Sequence, residues 1–217
     1  DGQPLTAGGK IDGLVTGEDA AVKTSGSQTN VGSSTNNFEG IDWNGSAKEG
    51  NYELVKSSNG TLTVTAAPAD QNKITLKSGE TTYIGLNQTL ANGATGGADG
   101  TVYLYATSKD SNEWSEELPK FTDAGTYTIW AKGVNKNYED SFTSAEFIIK
   151  PAKLIAAADS RTEPYTGEAI TAGGTLNGLV NGETATVTAT GSQTEVGFSE
   201  NKAVISWDGT AKESNYV

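Results

Sequence analysis

A chain of 217 residues with a formal charge of −12 and no histidine, cysteine or methionine excludes several functions at once. It offers no basic face for a nucleic-acid backbone or an anionic lipid surface, and without cysteine there are no disulfides, thiolate nucleophiles or sulfur metal sites. Gly, Thr, Ser, Asn and Ala dominate at the expense of strong helix formers, so strands and turns are expected.

Taken from the start, Asp1-Gly2 reads as the tail of a Tyr-x-Gly phrase. "LTAGGKIDGLVTGEDAAV", "GSQTNVGSSTN" (26–36) and "IDWNGSAKEGNY" (41–52) follow, and "GTLTVTA" alternates Leu62 and Val64 with threonines, the period of a half-buried strand. Pro68 marks a junction, since proline cannot donate to a sheet ladder. The middle stretch opens on Tyr83-Ile84-Gly85. It continues through "TVYLYATS" (101–108), with Val102, Leu104 and Ala106 on one face, and a polar insertion "SKDSNEWSEELP" (108–119). "GTYTIWAKG" then places Tyr127, Ile129 and Ala131 on one face, and Asn137-Tyr138 and "AEFIIKPAK" close the stretch at Pro151. From Tyr165-Thr166-Gly167 the opening phrases return as "ITAGGTLNGLVNGETATV", "GSQTEVGFSEN" (191–201) and "ISWDGTAKESNY" (205–216). Gly2 aligns with Gly167 without a gap as far as Asn36 and Asn201, and one deletion later the match resumes. Such dense self-similarity marks duplicated domains. Turns every eight to twelve residues between alternating strands suggest sandwiches.

"TDAGTYTIWA" carries Asp123, Gly125 and Tyr127 in a D-x-G-x-Y phrase that resembles the tyrosine corner of immunoglobulin-like domains, with Ile129 where antibody domains keep their second cysteine. The outer repeats depart from it, having Ser33 and Phe198 near the tyrosine position. Taken together, the phrases Y-x-G, G-L-V-x-G-E, G-S-Q-T-x-V-G, W-[ND]-G-[ST]-A-K-E-x-N-Y and G-T-L-T-V-T resemble the tandem Ig-like repeats, often called MBG-type, of bacterial surface proteins. The resemblance implies a wall-attached or secreted, extracellular protein of a Gram-positive or related bacterium, whose repeats serve as a stalk or as adhesive modules.

The expected fold is therefore all-β, with tandem immunoglobulin-like β-sandwich domains in an elongated rod. The expected domains are an Ig-like repeat over 1–66 lacking its first strand, a divergent central Ig-like domain over 67–150, and a repeat over 151–217 lacking its last strand. The termini read as a cut through a longer array, so that a leader or wall anchor would lie outside residues 1–217. The alternative is head-to-tail self-association through open strand edges. No run within the chain reaches the roughly 18 apolar residues of a membrane span.

Candidate sites are few. Trp43 and Trp207 follow Ile41 and Ile205 by two residues, which favours core packing over a sugar-stacking platform. Trp114, with Asp110 and Glu113 beside it, is the candidate ligand contact, for host glycans or mucin, against a structural capping role. The acids of 108–119 lack the ligand spacing of a calcium loop, and no cleft is evident to raise a catalytic carboxylate's pKa. The expectation is no catalytic residue, no metal and no cofactor. Lys48 and Lys212, with Glu49 and Glu213, are weighed as isopeptide crosslink partners, but adjacent strand residues point to opposite faces and a turn is the better reading. The function expected is a non-catalytic stalk or adhesive spacer; the alternative is a carbohydrate- or mucin-binding module in the central domain.

Overall fold

The computed structural model describes residues 2–217; Asp1, read as the tail of a Tyr-x-Gly phrase, lies outside them. The protein is all-β. Among the described residues there are thirteen strands in five small sheets, three short 3-10 turns and no α-helix. The chain divides into two compact units. One comprises Asp1–Lys73, Gly97–Val102 and Gly133–Ser141; the other comprises Ile74–Gly96, Tyr103–Lys132 and Phe142–Val217.

In the first unit, β1 (Ala21–Ser25), β2 (Gly32–Asp42) and β3 (Gly60–Val64) form an antiparallel sheet in that order. The two halves of β2 have different partners: Gly32–Asn36 pairs with β3 and Asn37–Asp42 with β1. The register slips between Lys23 and Thr24, opposite Gly40, whose φ of 127° an L side chain would resist. Leu62 on β3 is buried. Asn72 is fully buried too, and its side chain ties loops together by accepting from the Ala98 N–H and the Thr101 hydroxyl and donating to the Gly133 carbonyl.

The second unit has the larger core. It contains β4 (Ile74–Thr75) paired with β6 (Thr95–Gly96), and a four-stranded sheet ordered β5-β9-β8-β7. In that sheet β5 (Gly79–Thr82) runs parallel to β9 (Ser141–Lys150), with Thr81 opposite Ile149, and β8 (Gly125–Val134) and β7 (Val102–Ala106) follow. Period-two alternation on β8 and β9 sends Ile129, Ala131, Phe147 and Ile149 into the core, where each is 2% exposed or less. On β7 the burial differs from the expected face. Tyr105 is buried next to Ala106 of the expected face, while Val102 of that face is 48% exposed. The Tyr105 ring buries more apolar area than valine, and its hydroxyl accepts from the Ala94 N–H at 2.8 Å, so the polar end of the ring is satisfied inside.

The same unit holds β10 (Ile155–Ala158) with β11 (Gly174–Asn177), and β12 (Thr186–Ala189) with β13 (Ala203–Ser206). Here the duplication becomes geometry. Val22 faces Ile41 in the first repeat and Val187 faces Ile205 in the last, and the bridge Leu5 to Gln28 returns as Ile170 to Gln193.

Candidate functional site

The phrases that the repeats share converge at the steps from one repeat to the next. At the step into the last repeat, within the second unit, Asn215 is 0% exposed. Its side-chain carbonyl accepts the Ala124 N–H at 2.8 Å and its amide donates to the Asp123 carboxylate at 3.0 Å. An asparagine carries both a donor and an acceptor on one planar group, so it pairs with a turn as another backbone segment would. The neighbouring Lys212 ammonium lies 2.7 Å from the other Asp123 oxygen. Backbone bonds complete the joint: Ala152 donates to the Asn215 carbonyl at 2.8 Å and accepts from the Val217 N–H at 2.9 Å.

The step out of the first repeat, within the first unit, repeats this pattern. The Val31 N–H donates to the Asn137 side-chain carbonyl at 3.0 Å, and the Asn137 amide donates to Asn30 Oδ1 at 2.8 Å. Ala67 donates to the Asn137 carbonyl at 2.9 Å and accepts from Glu139 at 2.8 Å. The bridging alanine precedes Pro68 at one step and follows Pro151 at the other, so the prolines flank the joint from opposite sides. We call the arrangement a clasp: an asparagine inserted into the corner where a strand begins at Gly32 or Gly125.

At the second clasp Glu183, from the G-L-V-N-G-E phrase, accepts the hydroxyls of both Tyr83 and Tyr216. The two rings meet edge to face, 5.6 Å between centres at 82°. Burial, reinforced by the Glu183 carboxylate, pushes the Tyr83 phenol up to about 12; Tyr216 is raised for the same reasons. Both therefore stay protonated and remain donors to Glu183 across the physiological range. Gly85 of the Tyr-x-Gly phrase passes so close to Asn181 that a Cβ there would lie 2.7 Å from the Asn181 Cβ, and its carbonyl accepts the Asn181 amide at 2.9 Å. The Asp123 carboxyl is held below its ordinary value by the hydrogen bond from Lys212 and then by that from Asn215, and Lys212 is correspondingly raised by Asp123. Lys212 and Asp123 thus form an exposed ion pair beside the buried Asn215.

Tyr127 lies beside this joint. Its hydroxyl donates to the Asp123 carbonyl at 2.8 Å, closing the turn before Gly125, and Phe121 stacks on its ring at 4.0 Å. Trp43 and Trp207 sit just past the ends of β2 and β13, half-buried, and stack on Tyr52 at 5.8 Å and on Tyr216 at 5.9 Å. The tryptophans thus back the tyrosines of the Asn51-Tyr52 and Asn215-Tyr216 pairs.

Trp114 belongs to a separate surface of the second unit. Its indole N–H donates to the Ser111 carbonyl at 2.9 Å, and its ring meets Phe142 at 5.8 Å. Lys132 lies over Trp114 and Phe142, and Lys109 over Trp130 and Phe142, at 5.6–6.0 Å from the ring centres. Asp110 and Glu113 are exposed and held by local turns through Ser108 and Ser111; the structure does not bring their carboxylates together with the rings. Among the described residues no cluster of three His, Cys, Asp or Glu side chains is placed to hold a metal, and no helix is long and apolar enough to cross a membrane. A cavity of about 560 Å³ opens in the first repeat beside Trp43, Phe38 and Ile41. The Asn36 side-chain oxygen on its wall has no hydrogen-bond partner.

In the sequence Asn51-Tyr52, Asn137-Tyr138 and Asn215-Tyr216 recur at matching places with no role attached, and nothing there distinguishes Glu183. The available signal was their duplication in polar, non-strand positions, where packing does not demand identity. No family model, curated protein or solved structure matches the chain.

Proposed function

We propose that this chain is a non-catalytic repeat region of a bacterial surface protein. Its tandem immunoglobulin-like sandwiches, of the MBG type, form an elongated stalk that holds a binding domain away from the cell. The observation that carries this reading is the clasp. Two successive steps between repeats use the same asparagine, the same pair of backbone bonds and the same corner. Such a device suits a coupled array, where each joint must limit bending, and it is foreign to a flexible linker. A single compact body of 217 residues would have a radius of gyration of about 17 Å. Small-angle scattering is expected to give at least about 1.5 times that value; a result near the compact figure would overturn the stalk.

The second reading, a carbohydrate- or mucin-binding module, is favoured by the grouping of Trp114, Trp130 and Phe142 on one surface. A glycan and mucin array run with the native chain and Trp114→Ala separates the two. The stalk reading expects background signal from both proteins. Binding that disappears with the ring would assign the central domain a lectin-like role.

A further inference from the structure

Parallel pairing recurs in this protein where the segment entering a repeat meets the one leaving it. Ala67 lies parallel to Tyr138, and Ala152 to Tyr216. Between these steps along the chain, β5 runs parallel to β9, from Gly79 opposite Phe147 to Thr82 opposite Lys150. Further hydrogen bonds close this ladder at both ends. The Glu146 N–H donates to the Ser78 hydroxyl at 3.1 Å, and the Tyr83 N–H donates to the Lys150 carbonyl at 2.8 Å. The pairs β1 with β2, β2 with β3 and β10 with β11 are antiparallel by contrast.

Direction decides how such a ladder meets tension. The chain runs into β5 from Ser78 and out of β9 at Lys150, so a pull along the chain draws two parallel neighbours in opposite directions along their length. Hydrogen bonds of a parallel ladder run between the strands, and the load therefore falls on all of them together. A ladder opened from one end gives up one bond at a time. Packing adds a second lock. Phe147 and Ile149 on β9 are each 2% exposed or less, and a slip of one residue, about 3.3 Å, would drag both from their sites in the core. The ion pair of Lys150 with Glu80, at 2.7 Å, is exposed and contributes little.

We infer that β5 and β9 form a shear clamp, so that the stretch 67–150 bears tension carried along the chain as well as adding length. The use of such a clamp rests on the stalk reading, since a tethered stalk is what is pulled; the directional strength of the ladder does not. Forced unfolding is governed by the unfolding rate, and the clamp acts on that rate.

The test pulls the full chain by handles on cysteines, which the native sequence lacks. Handles at Lys77→Cys and Lys150→Cys load β5 and β9 in shear, whereas handles at Ile84→Cys and Lys150→Cys open the same ladder from one end. All three positions are exposed. At one constant load the sheared chain is expected to survive about 100-fold longer, because several hydrogen bonds must give in a single step. Ser78→Ala, which deletes the bond to Glu146, should shorten the sheared lifetime about fivefold and leave the unzipped one unchanged. Equal lifetimes in the two geometries, or a Ser78→Ala effect of the same size in both, would overturn the clamp. Scattering separates this from the stalk: an extended chain with equal lifetimes would keep the stalk and remove the clamp, and a compact chain with unequal lifetimes would do the reverse.

Discussion

Asn215→Ala is expected to destabilise the second unit by about 2–3 kcal/mol, whereas the same change at Asn51 should cost less than about 0.5 kcal/mol. The two residues occupy matching places in the repeats, yet Asn215 is buried with partners at Ala124 and Asp123 and Asn51 is exposed. Removing Asn215 deletes two hydrogen bonds, one of them to a charged carboxylate, and leaves the Ala124 N–H unpaired in a half-buried site. For a chain of this size the loss corresponds to a melting point lower by about 5–10 °C. Calorimetry of both variants checks it, and equal shifts would show that the clasp contributes nothing beyond the local fold of each repeat. The difference should also depend on pH. Asp123 has its pKa lowered in the fold, by Lys212 first and Asn215 second. Its contribution is therefore present above the unfolded value of about 3.9 and is lost as pH falls through the folded one. The gap between native and Asn215→Ala stabilities should narrow on that acid side. Lys212, its pKa raised, keeps its charge throughout that window.

Phe147→Ala should cost about 3–5 kcal/mol, the range for emptying a large aromatic site in a packed core. Phe147 is 2% exposed at the centre of β9, faces Gly79 of the parallel edge strand β5, and lies 6.3 Å from the Phe121 ring, which in turn stacks on Tyr127. Gly79 has no side chain to refill the space, and a Cβ there would already be 3.0 Å from Leu90, so collapse is limited on that side. Denaturant unfolding should show a lower midpoint with an unchanged slope. Phe142 is the internal comparison. It stands on the same strand with its ring on the opposite, exposed surface, and its truncation removes contacts with Trp114 and two lysines but opens no cavity. A loss at Phe147 no larger than that at Phe142 would contradict the assignment of the core face on β9.

Strand character and much of the periodic pattern of this protein are legible in its residues alone. Alternation along 125–133 identified Ile129 and Ala131 as one face, and the duplicated phrases anticipated that Val22 and Val187 would hold matching places, because period-two patterning and repetition are local properties of the chain. Alternation could not say which face of 102–106 turns inward. Tyr105 is buried beside Ala106, its hydroxyl accepting from the Ala94 N–H, and that partner is known only once the chain has folded. The clasp was hidden for the same reason. Asn215 meets Ala124 and Asp123 across 91 and 92 residues, and Asn137 meets Val31 across 106. In the sequence each asparagine sits in a polar turn with nothing to distinguish a loop residue from a joint. Only the folded chain sets them in the corners before Gly32 and Gly125, where Asn215 is fully buried and Asn137 partly so.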